Sequence, residues 1–103
     1  GDIGKHFPDS DNNFKNISSL VLLQNVCLLL KNSGYTTINI DSTIIAQRPK
    51  LAAYIDLMRS NIAEALEVSV DSVNVKATTE EGLGFTGSGE GIAAQAVCLI
   101  EKL

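Results

Sequence analysis

The chain has 103 residues, a formal net charge of −4 at pH 7, and 45% hydrophobic against 19% charged residues. This length fits one small domain, and the composition is typical of a globular protein. We expect no nucleic-acid partner, because no run of lysine or arginine is present to neutralise phosphates. We also expect no membrane partner, because no apolar stretch is long enough for a transmembrane helix.

The two cysteines, Cys27 and Cys98, lie far apart in the sequence and show neither a CxxC nor a Cys/His ligand spacing. We interpret them as reduced thiols that fill space in the core. Reduced thiols fit a reducing compartment. We therefore expect a cytoplasmic location, or a plastid-type organelle if the source is eukaryotic.

Residues 1–16 are rich in Gly, Pro, Asp, Asn and Ser, which indicates a loop. Ser18 and Ser19 can cap a helix that continues with apolar residues at helical spacing, and Gly34 is well placed to end it. The sequence therefore predicts a helix over residues 18–32.

Alternating β-branched residues predict a strand over residues 35–47, and Pro49 prevents its continuation as a central strand. The alternation assigns an apolar set and a polar set to opposite faces. The apolar face would carry Ile38, Ile40, Ser42, Ile44 and Ala46. The polar face would carry Asn39, Asp41 and Thr43.

A second helix is predicted from the apolar stripe Ile55, Met58, Ile62 and Leu66. A second strand over residues 73–78 and a glycine-rich loop over residues 82–91 follow, and the last segment, residues 92–102, fits a strand or a helix. This order predicts an α/β fold of the α+β sandwich type, with helices on one face of a mixed sheet, in a single domain over residues 1–103. The polar strand faces leave two interpretations open, a solvent-facing sheet surface or a sheet face turned into a subunit interface or a site.

The first segment that could carry chemistry contains three aspartates, Asp2, Asp9 and Asp11. They could bind a divalent cation, hydrogen-bond sugar hydroxyls, or cap turns. The only histidine, His6, lies between them, and one histidine cannot make a zinc site.

The second segment is Ala46–Leu51, where a strand end breaks at a proline and presents two cations and a glutamine. The third is Lys76–Glu81, in which two threonine hydroxyls stand beside two carboxylates. Hydroxyls can donate to a phosphate while a carboxylate holds Mg²⁺ against it, although a polar turn would have the same composition.

The fourth segment, Gly82–Gly87, matches the GxGxxG pattern after a predicted strand. A dinucleotide site is excluded, because too little chain follows for the helix, second strand and acidic residue of that motif. The segment is therefore a loop whose backbone approaches another group closely or adopts positive φ.

Taken together, GDIGKHFPDSD, NIDSTIIAQRPK and VNVKATTEEGLGFTGSGEGIA, in this order and with these gaps, resemble the 2-C-methyl-D-erythritol 2,4-cyclodiphosphate synthase family of the non-mevalonate isoprenoid pathway. The resemblance spans Gly1 to about Ile100 and implies that the last segment is a strand. It implies a phosphorus–oxygen lyase that cyclises a cytidine diphosphate derivative of methylerythritol 2-phosphate and releases CMP. It also implies a homotrimer with active sites between subunits.

The resemblance implies roles for single residues. Asp2 and Gly4 would hold the ribose hydroxyls, with Ile3 between them. The methylerythritol part of the cleft would be lined by Phe7, Pro8, Asp9, Ser10 and Asp11. The cytosine pocket would be formed, largely through backbone groups, by Ala46, Gln47, Arg48, Pro49, Lys50, Leu51 and Ala52.

In the phosphate region, Thr78 and Thr79 would contact the diphosphate, and Thr79 would stabilise the transition state. Glu81 would hold magnesium or manganese, with Glu80 beside the phosphates and Phe85 near the substrate. The family also uses zinc, and its zinc ligands belong to an N-terminal segment that this chain lacks. We therefore expect the chain to represent the C-terminal part of such a domain.

Three positions depart from the family pattern, which usually has threonine at Glu80, often lysine at Gly82 and usually arginine at Ser88. The changes at Glu80 and Gly82 would make the region beside the phosphates more negative, which would weaken diphosphate binding. Glu90 would lose an arginine partner near the threefold axis, so we expect weak binding of an axial isoprenoid diphosphate.

Two further hypotheses remain beside the enzyme. One is a non-catalytic trimeric remnant that binds cytidine nucleotides without the zinc site, and the other is an unrelated α/β interaction module. For the 103-residue chain alone we expect cytidine-nucleotide binding without turnover, because three zinc ligands cannot be assembled from it.

Overall fold

A computed structural model describes residues 3–7, 18–48 and 50–103 of the chain. Three strands form one sheet, and they are β1 (Tyr35–Ile45), β2 (Val73–Thr78) and β3 (Ala93–Lys102). The helices are α1 (Ile3–His6), α2 (Ser19–Asn32), α3 (Ile55–Leu66) and α4 (Gly84–Gly87). Two short 3₁₀ turns, Ala52–Tyr54 and Val70–Ser72, precede α3 and β2 respectively.

The sheet has the strand order β2-β1-β3, so β1 is the central strand. β1 pairs with β2 in parallel, from Ile40 opposite Val73 to Ile45 opposite Thr78. β1 pairs with β3 in the antiparallel direction. The predicted mixed sheet of an α/β domain is therefore confirmed, and the last segment is a strand.

The predicted helix boundaries agree closely with the structure. Ser18 is the N-cap of α2, and its side chain accepts a hydrogen bond from the Leu20 N–H. Gly34 follows the helix with a φ of 89°, a left-handed conformation that glycine adopts without steric cost. The strand over residues 73–78 is found at the predicted bounds.

Two sequence-based predictions need correction. Pairing between β1 and β3 shifts register between Thr37 and Asn39, so one uninterrupted alternation from Ile38 onward is wrong for the start of β1. An extra residue in one strand turns the side chains before it to the other face, and Thr37 is buried as a result. The second correction is α1, a single helical turn within the predicted N-terminal loop. Such a turn is too short to leave a periodic signal in sequence.

The core lies between α3 and the parallel strands. Ala63 from α3 packs with Val73 and Val75 from β2, and Val73 is only 1% exposed. Partly buried residues from β1 and α3 surround this cluster, and they are Ile40, Ile44, Ile55, Met58, Ile62 and Val68. Both long helices thus cover the same face of the sheet, as predicted.

Arg59 ties α3 to the start of β2. Its Nε donates to the Val73 carbonyl at 2.8 Å, and its Nη2 donates to the Val70 carbonyl at 3.1 Å. Charge-assisted bonds of this kind are stronger than neutral ones. They fix where β2 begins and therefore also where its far end lies.

β3 is an edge strand that leaves large apolar side chains in solvent, with Val97 69% and Leu99 56% exposed. Cys98 is also exposed, whereas Cys27 is buried, so the prediction that both thiols lie in the core is wrong for Cys98. Among the described residues, α2 packs mainly against α3 and β1, and α3 packs mainly against α2 and β2, so β3 is the strand that these helices cover least. Within the ranges given above, no helix combines the length and apolar character needed to cross a membrane.

The sheet face opposite the helices carries a polar network. Asp41 on β1 accepts hydrogen bonds from Lys76 Nζ at 2.5 Å and from Asn74 Nδ2 at 2.9 Å, both on β2. The donation from Lys76, followed by that from Asn74, lowers the pKa of the Asp41 carboxyl below its ordinary value of 3.8. These bonds cross between neighbouring strands at their parallel register.

This network predicts a pH dependence with a definite sign. A carboxyl with a depressed folded pKa stabilises the fold above its unfolded pKa and loses that contribution as the pH falls through the folded value. An NMR titration should therefore place the Asp41 carboxyl below 3.8, and Lys76→Met should raise it. An Asp41 midpoint that does not move in Lys76→Met would contradict the assignment.

Candidate functional site

The candidate site lies where two parallel strands end side by side. Ile45 is the last residue of β1 and stands opposite Thr78, the last residue of β2. One further bond continues the pairing past the end of β1, from the Ala46 N–H to the Thr78 carbonyl at 3.0 Å. Carboxyl ends of parallel strands are common ligand positions, because backbone groups beyond them are free to bind.

A cleft of about 260 Å³ opens at this edge. It is lined from β1 onward by Ala46, Gln47, Lys50, Leu51 and Ala52, and from the end of β2 by Ala77, Thr78 and Thr79. Pockets for drug-sized ligands span about 300–1,000 Å³. A cleft below that range fits one ring, such as a nucleobase, and is too small for a dinucleotide.

Several polar groups of the cleft are suited to an anionic ligand. Lys50 supplies a cation within the lining, and Thr78 and Thr79 belong to the same lining and each carry a hydroxyl. The side-chain oxygen of Gln47 is buried without a hydrogen-bond partner in the described part of the chain. A buried unsatisfied acceptor is costly, so its presence in a cleft wall is typical of a binding site rather than of a core.

Directly after Thr79 the chain makes a tight turn over Glu80–Leu83. The Leu83 N–H donates to the Glu80 carbonyl at 3.0 Å, and the two central residues, Glu81 and Gly82, have φ values of 54° and 82°. Positive φ at both central positions is the signature of a type I′ turn, which favours Gly, Asn or Asp. A glutamate held in this left-handed region costs roughly 1–2 kcal/mol.

The glycine-rich loop is attached to the same edge. The Gln47 N–H donates to the carbonyl of Thr86 at 3.2 Å, and Thr86 is buried. A side chain at Gly87 would collide with the backbone of Gly82, since its Cβ would lie 2.8 Å from the Gly82 Cα. Glycine at residue 87 therefore permits a close backbone approach, one of the two possibilities that the sequence had left open.

The structure brings together most of the predicted cytosine-pocket residues and both threonines. Arg48 is exposed and does not line the cleft, and the same holds for Glu80, Glu81 and Phe85. Phe7 is half-buried, with its ring centroid 6.3 Å from that of His6. Predicted residues that lie outside the described ranges are Asp2, Pro8, Asp9, Ser10, Asp11 and Pro49. The backbone of Ile3 and Gly4 belongs to α1.

Two residues of the site were not among the predicted ones. Ala77 lines the cleft, and Thr86 supplies the carbonyl that anchors the glycine-rich loop. Alternation along β2 could have indicated Ala77, because it lies two residues after Val75 on the helix-facing side. No sequence signal could have identified the Thr86 carbonyl, since every residue carries one.

The family resemblance implies two metal ions, zinc and magnesium or manganese, and the described residues suit only the second of them. Across residues 3–7, 18–48 and 50–103, no three His, Cys, Asp or Glu side chains lie close enough together to hold a metal ion. These residues therefore do not fit a zinc site, which needs about three protein ligands. Magnesium is often held by one or two carboxylates with substrate phosphates, so Glu81 beside the threonine hydroxyls fits that ion.

Comparison with known proteins gives a consistent result. A family model described as the YgbB family matches residues 1–101. The 2-C-methyl-D-erythritol 2,4-cyclodiphosphate synthase of Lachnospira eligens is 61% identical over 103 residues, which are 100% of this chain and 56% of that protein. The Clostridium botulinum protein of the same name is 60% identical over 101 residues, 98% of this chain and 65% of that one. The chain thus spans between about half and two thirds of the length of these relatives.

Solved structures agree with the sequence comparison. The bifunctional IspDF from Campylobacter jejuni superposes with a TM-score of 0.93 at 42% identity, covering 100% of this chain and 28% of that one. A Plasmodium falciparum IspF in complex with CDP superposes with a TM-score of 0.83 at 29% identity. The match covers 99% of this chain and 60% of that one. The α/β fold described above is therefore shared with the matched part of each of these proteins.

The close approach within the glycine-rich loop predicts the effect of a single methyl group. Gly87→Ala should lower the free energy of unfolding by about 1–3 kcal/mol, because the backbone of Gly82 must move. Gly91→Ala is the matched control, since its Cβ would meet the Phe85 ring at 2.9 Å and that exposed ring can turn away. Equal losses for both variants in denaturant unfolding would refute this account of the loop.

Proposed function

Since the chain belongs to the YgbB family, we propose that the protein containing it is a 2-C-methyl-D-erythritol 2,4-cyclodiphosphate synthase. Its reaction would convert 4-diphosphocytidyl-2-C-methyl-D-erythritol 2-phosphate to the 2,4-cyclodiphosphate and CMP. The observation that carries the proposal is the cleft of about 260 Å³ at the adjacent ends of β1 and β2, which Thr78 and Thr79 help to line.

The proposed reaction is an intramolecular phosphoryl transfer. An oxygen of the 2-phosphate attacks the β-phosphorus, the bond from that phosphorus to the bridging oxygen breaks, and CMP leaves with the electron pair. Positioning and charge neutralisation account for most of the catalysis in such reactions. The protein must therefore hold the nucleotide rigidly and stabilise the growing charge on the phosphoryl oxygens.

We assign the cytosine to the cleft segment, residues 46–52, and the diphosphate to Thr78 and Thr79. Threonine hydroxyls can donate to phosphoryl oxygens, and Lys50 adds positive charge within the lining of the same cleft. Thr79 would touch the reacting phosphate and is the proposed catalytic residue. Contacts to the ribose by Asp2 and Gly4, and to the methylerythritol by residues 7–11, remain proposals from the family resemblance.

We further propose that Glu81 holds magnesium or manganese, which when bound would neutralise charge on the diphosphate. Glu81 stands in the turn directly after Thr79, within the same short segment as the threonine hydroxyls. No step of the reaction is assigned to zinc, because the described residues do not fit a zinc site. The family's use of zinc therefore has no counterpart among the side chains described here.

A matched pair of glutamates tests the proposal. In the intact protein, Glu81→Gln should remove the Mg²⁺ dependence of substrate binding and reduce turnover at least about 100-fold, the scale typical of a lost transition-state contact. Glu80→Gln should retain the Mg²⁺ dependence. Calorimetry with CDP and a CMP-release assay measure the two effects, and equal losses in both variants would refute the assignment to Glu81.

The binding and catalytic parts of the proposal can fail separately. The 103-residue chain alone should bind CDP without turnover. CDP binding without turnover in the intact protein would instead favour a non-catalytic nucleotide-binding protein. Absence of CDP binding in both would overturn the proposal as a whole.

We also propose that the protein assembles as a homotrimer through the polar sheet face and β3. Val97 and Leu99 leave apolar surface exposed there, and burying it in a symmetric interface would stabilise a small domain.

Val97→Asp should therefore shift the mass measured by light scattering from trimer to monomer, since the interface would have to bury a charge. The control is Leu57→Asp on α3. Leu57 is 60% exposed and lies away from β3, so this change should leave the trimer intact. A wild-type protein that stays monomeric at high concentration would contradict the proposal.

A further inference from the structure

We propose that Thr79 is the positioning residue for Glu81, in addition to its contact with the diphosphate. Its hydroxyl would hold the turn that presents the Glu81 carboxylate to a divalent cation. This inference rests on the proposed function, because it takes from it the role of Glu81 as a cation ligand. It adds a second role for Thr79, exerted through the backbone of the neighbouring turn.

The first observation is the conformation of Glu81. Its φ of 54° lies in the left-handed region, where an L-residue other than glycine is disfavoured. The direction of its side chain depends on that conformation, because a return to negative φ would swing the Cα–Cβ bond away. A carboxylate that must meet a cation beside the diphosphate therefore needs something to keep the turn in place.

The second observation is the bond that restrains the turn. Thr79 Oγ1 accepts a hydrogen bond from the Glu81 N–H at 3.2 Å. In the described part of the chain it is the one side-chain hydrogen bond made to residues 80–83. The backbone bond from Leu83 to Glu80 closes the turn, and the threonine hydroxyl fixes the residue that carries the carboxylate.

The third observation separates the two adjacent threonines. Thr78 Oγ1 points its proton at the carbonyl of Thr79, 3.4 Å away. The Thr79 hydroxyl accepts from Glu81 and has no acceptor for its own proton among the described residues. A hydroxyl has one proton and two lone pairs, so this proton remains available for a phosphoryl oxygen. One side chain can thus position the cation ligand and bind the anion at once.

The test measures Mn²⁺ affinity in the intact protein saturated with CDP, by electron paramagnetic resonance of free Mn²⁺. Thr79→Val removes the hydroxyl at nearly constant volume and should weaken Mn²⁺ binding by about 3- to 10-fold, the equivalent of one hydrogen bond. Thr79→Ser keeps the hydroxyl and should restore the affinity to within about twofold of wild type. Ser88→Ala removes a hydroxyl from the same glycine-rich loop, where it donates to the Phe85 carbonyl, and should leave Mn²⁺ affinity unchanged.

A second readout separates positioning from direct phosphate contact. CDP affinity without divalent cation reports the phosphate contact alone, so Thr79→Val must lose more Mn²⁺ affinity than CDP affinity if it acts through Glu81. Equal losses, or failure of Thr79→Ser to recover, would overturn the positioning role. Glu81→Gln is the reference: if it keeps wild-type Mn²⁺ affinity, the proposed cation site itself is wrong. If Glu81→Gln loses Mn²⁺ but Thr79→Val does not, only the positioning role is wrong.

Discussion

The parallel pairing of β1 with β2 is the constraint on which the rest of the site depends. Parallel strands end at the same edge of a sheet, and the bond from Ala46 to Thr78 extends the pairing one residue beyond the end of β1. That bond brings two segments more than thirty positions apart in sequence into one cleft wall. The core packing of Val73 and Val75 against α3, and the hold of Arg59 on the start of β2, serve to keep this register.

The second level of organisation is the attachment of the glycine-rich loop to that edge. Thr86 receives the Gln47 N–H, and Gly87 lies against Gly82, so the loop folds back onto the turn that follows Thr79. The positive φ of Glu81 is tolerated within this compact arrangement. Strain in the backbone is common at functional sites, where surrounding contacts over-determine the conformation. Here the residue under strain is also the one to which we assign the divalent cation.

Much of this fold could be predicted from sequence, because its elements carry strong local signals. Ser18 and Gly34 delimit α2, and the alternation from Val73 to Thr78 defines β2 at its actual bounds. The register shift near Ile38, a β-bulge, could not be predicted. It depends on how β3 pairs with β1, and no characteristic residue type marks it in the sequence. The exposure of Cys98 was missed for a related reason: periodicity identifies an apolar strand face but says nothing about whether another element covers it.

For the candidate site, the sequence predicted several of the residues that line the cleft but not the backbone conformation around it. Five of the seven candidates in the segment from Ala46 to Ala52 and both candidate threonines line one cleft, whereas Arg48 does not and Pro49 lies outside the described residues. The turn at Glu81 and the carbonyl of Thr86 act through the backbone, where side-chain chemistry gives no signal. The sequence therefore indicated residues that line the cleft, and it gave no indication of backbone contacts such as the one made by the Thr86 carbonyl.

The strand order has a consequence for how the domain folds. The central strand β1 pairs on one side with β3, from Tyr35 opposite Lys102 to Ile45 opposite Ala93, and the Leu103 N–H reaches the carbonyl of Gly34 at 2.8 Å. Every one of these contacts joins segments that are distant along the chain, and the entropy of closing such loops must be met before the contacts form. During synthesis, the helices and the β1–β2 pair can assemble first, but the sheet is completed only when residues 93–103 have left the ribosome. Until β3 pairs, that edge of β1 presents unpaired backbone groups, and an exposed strand edge of this kind can pair with another chain.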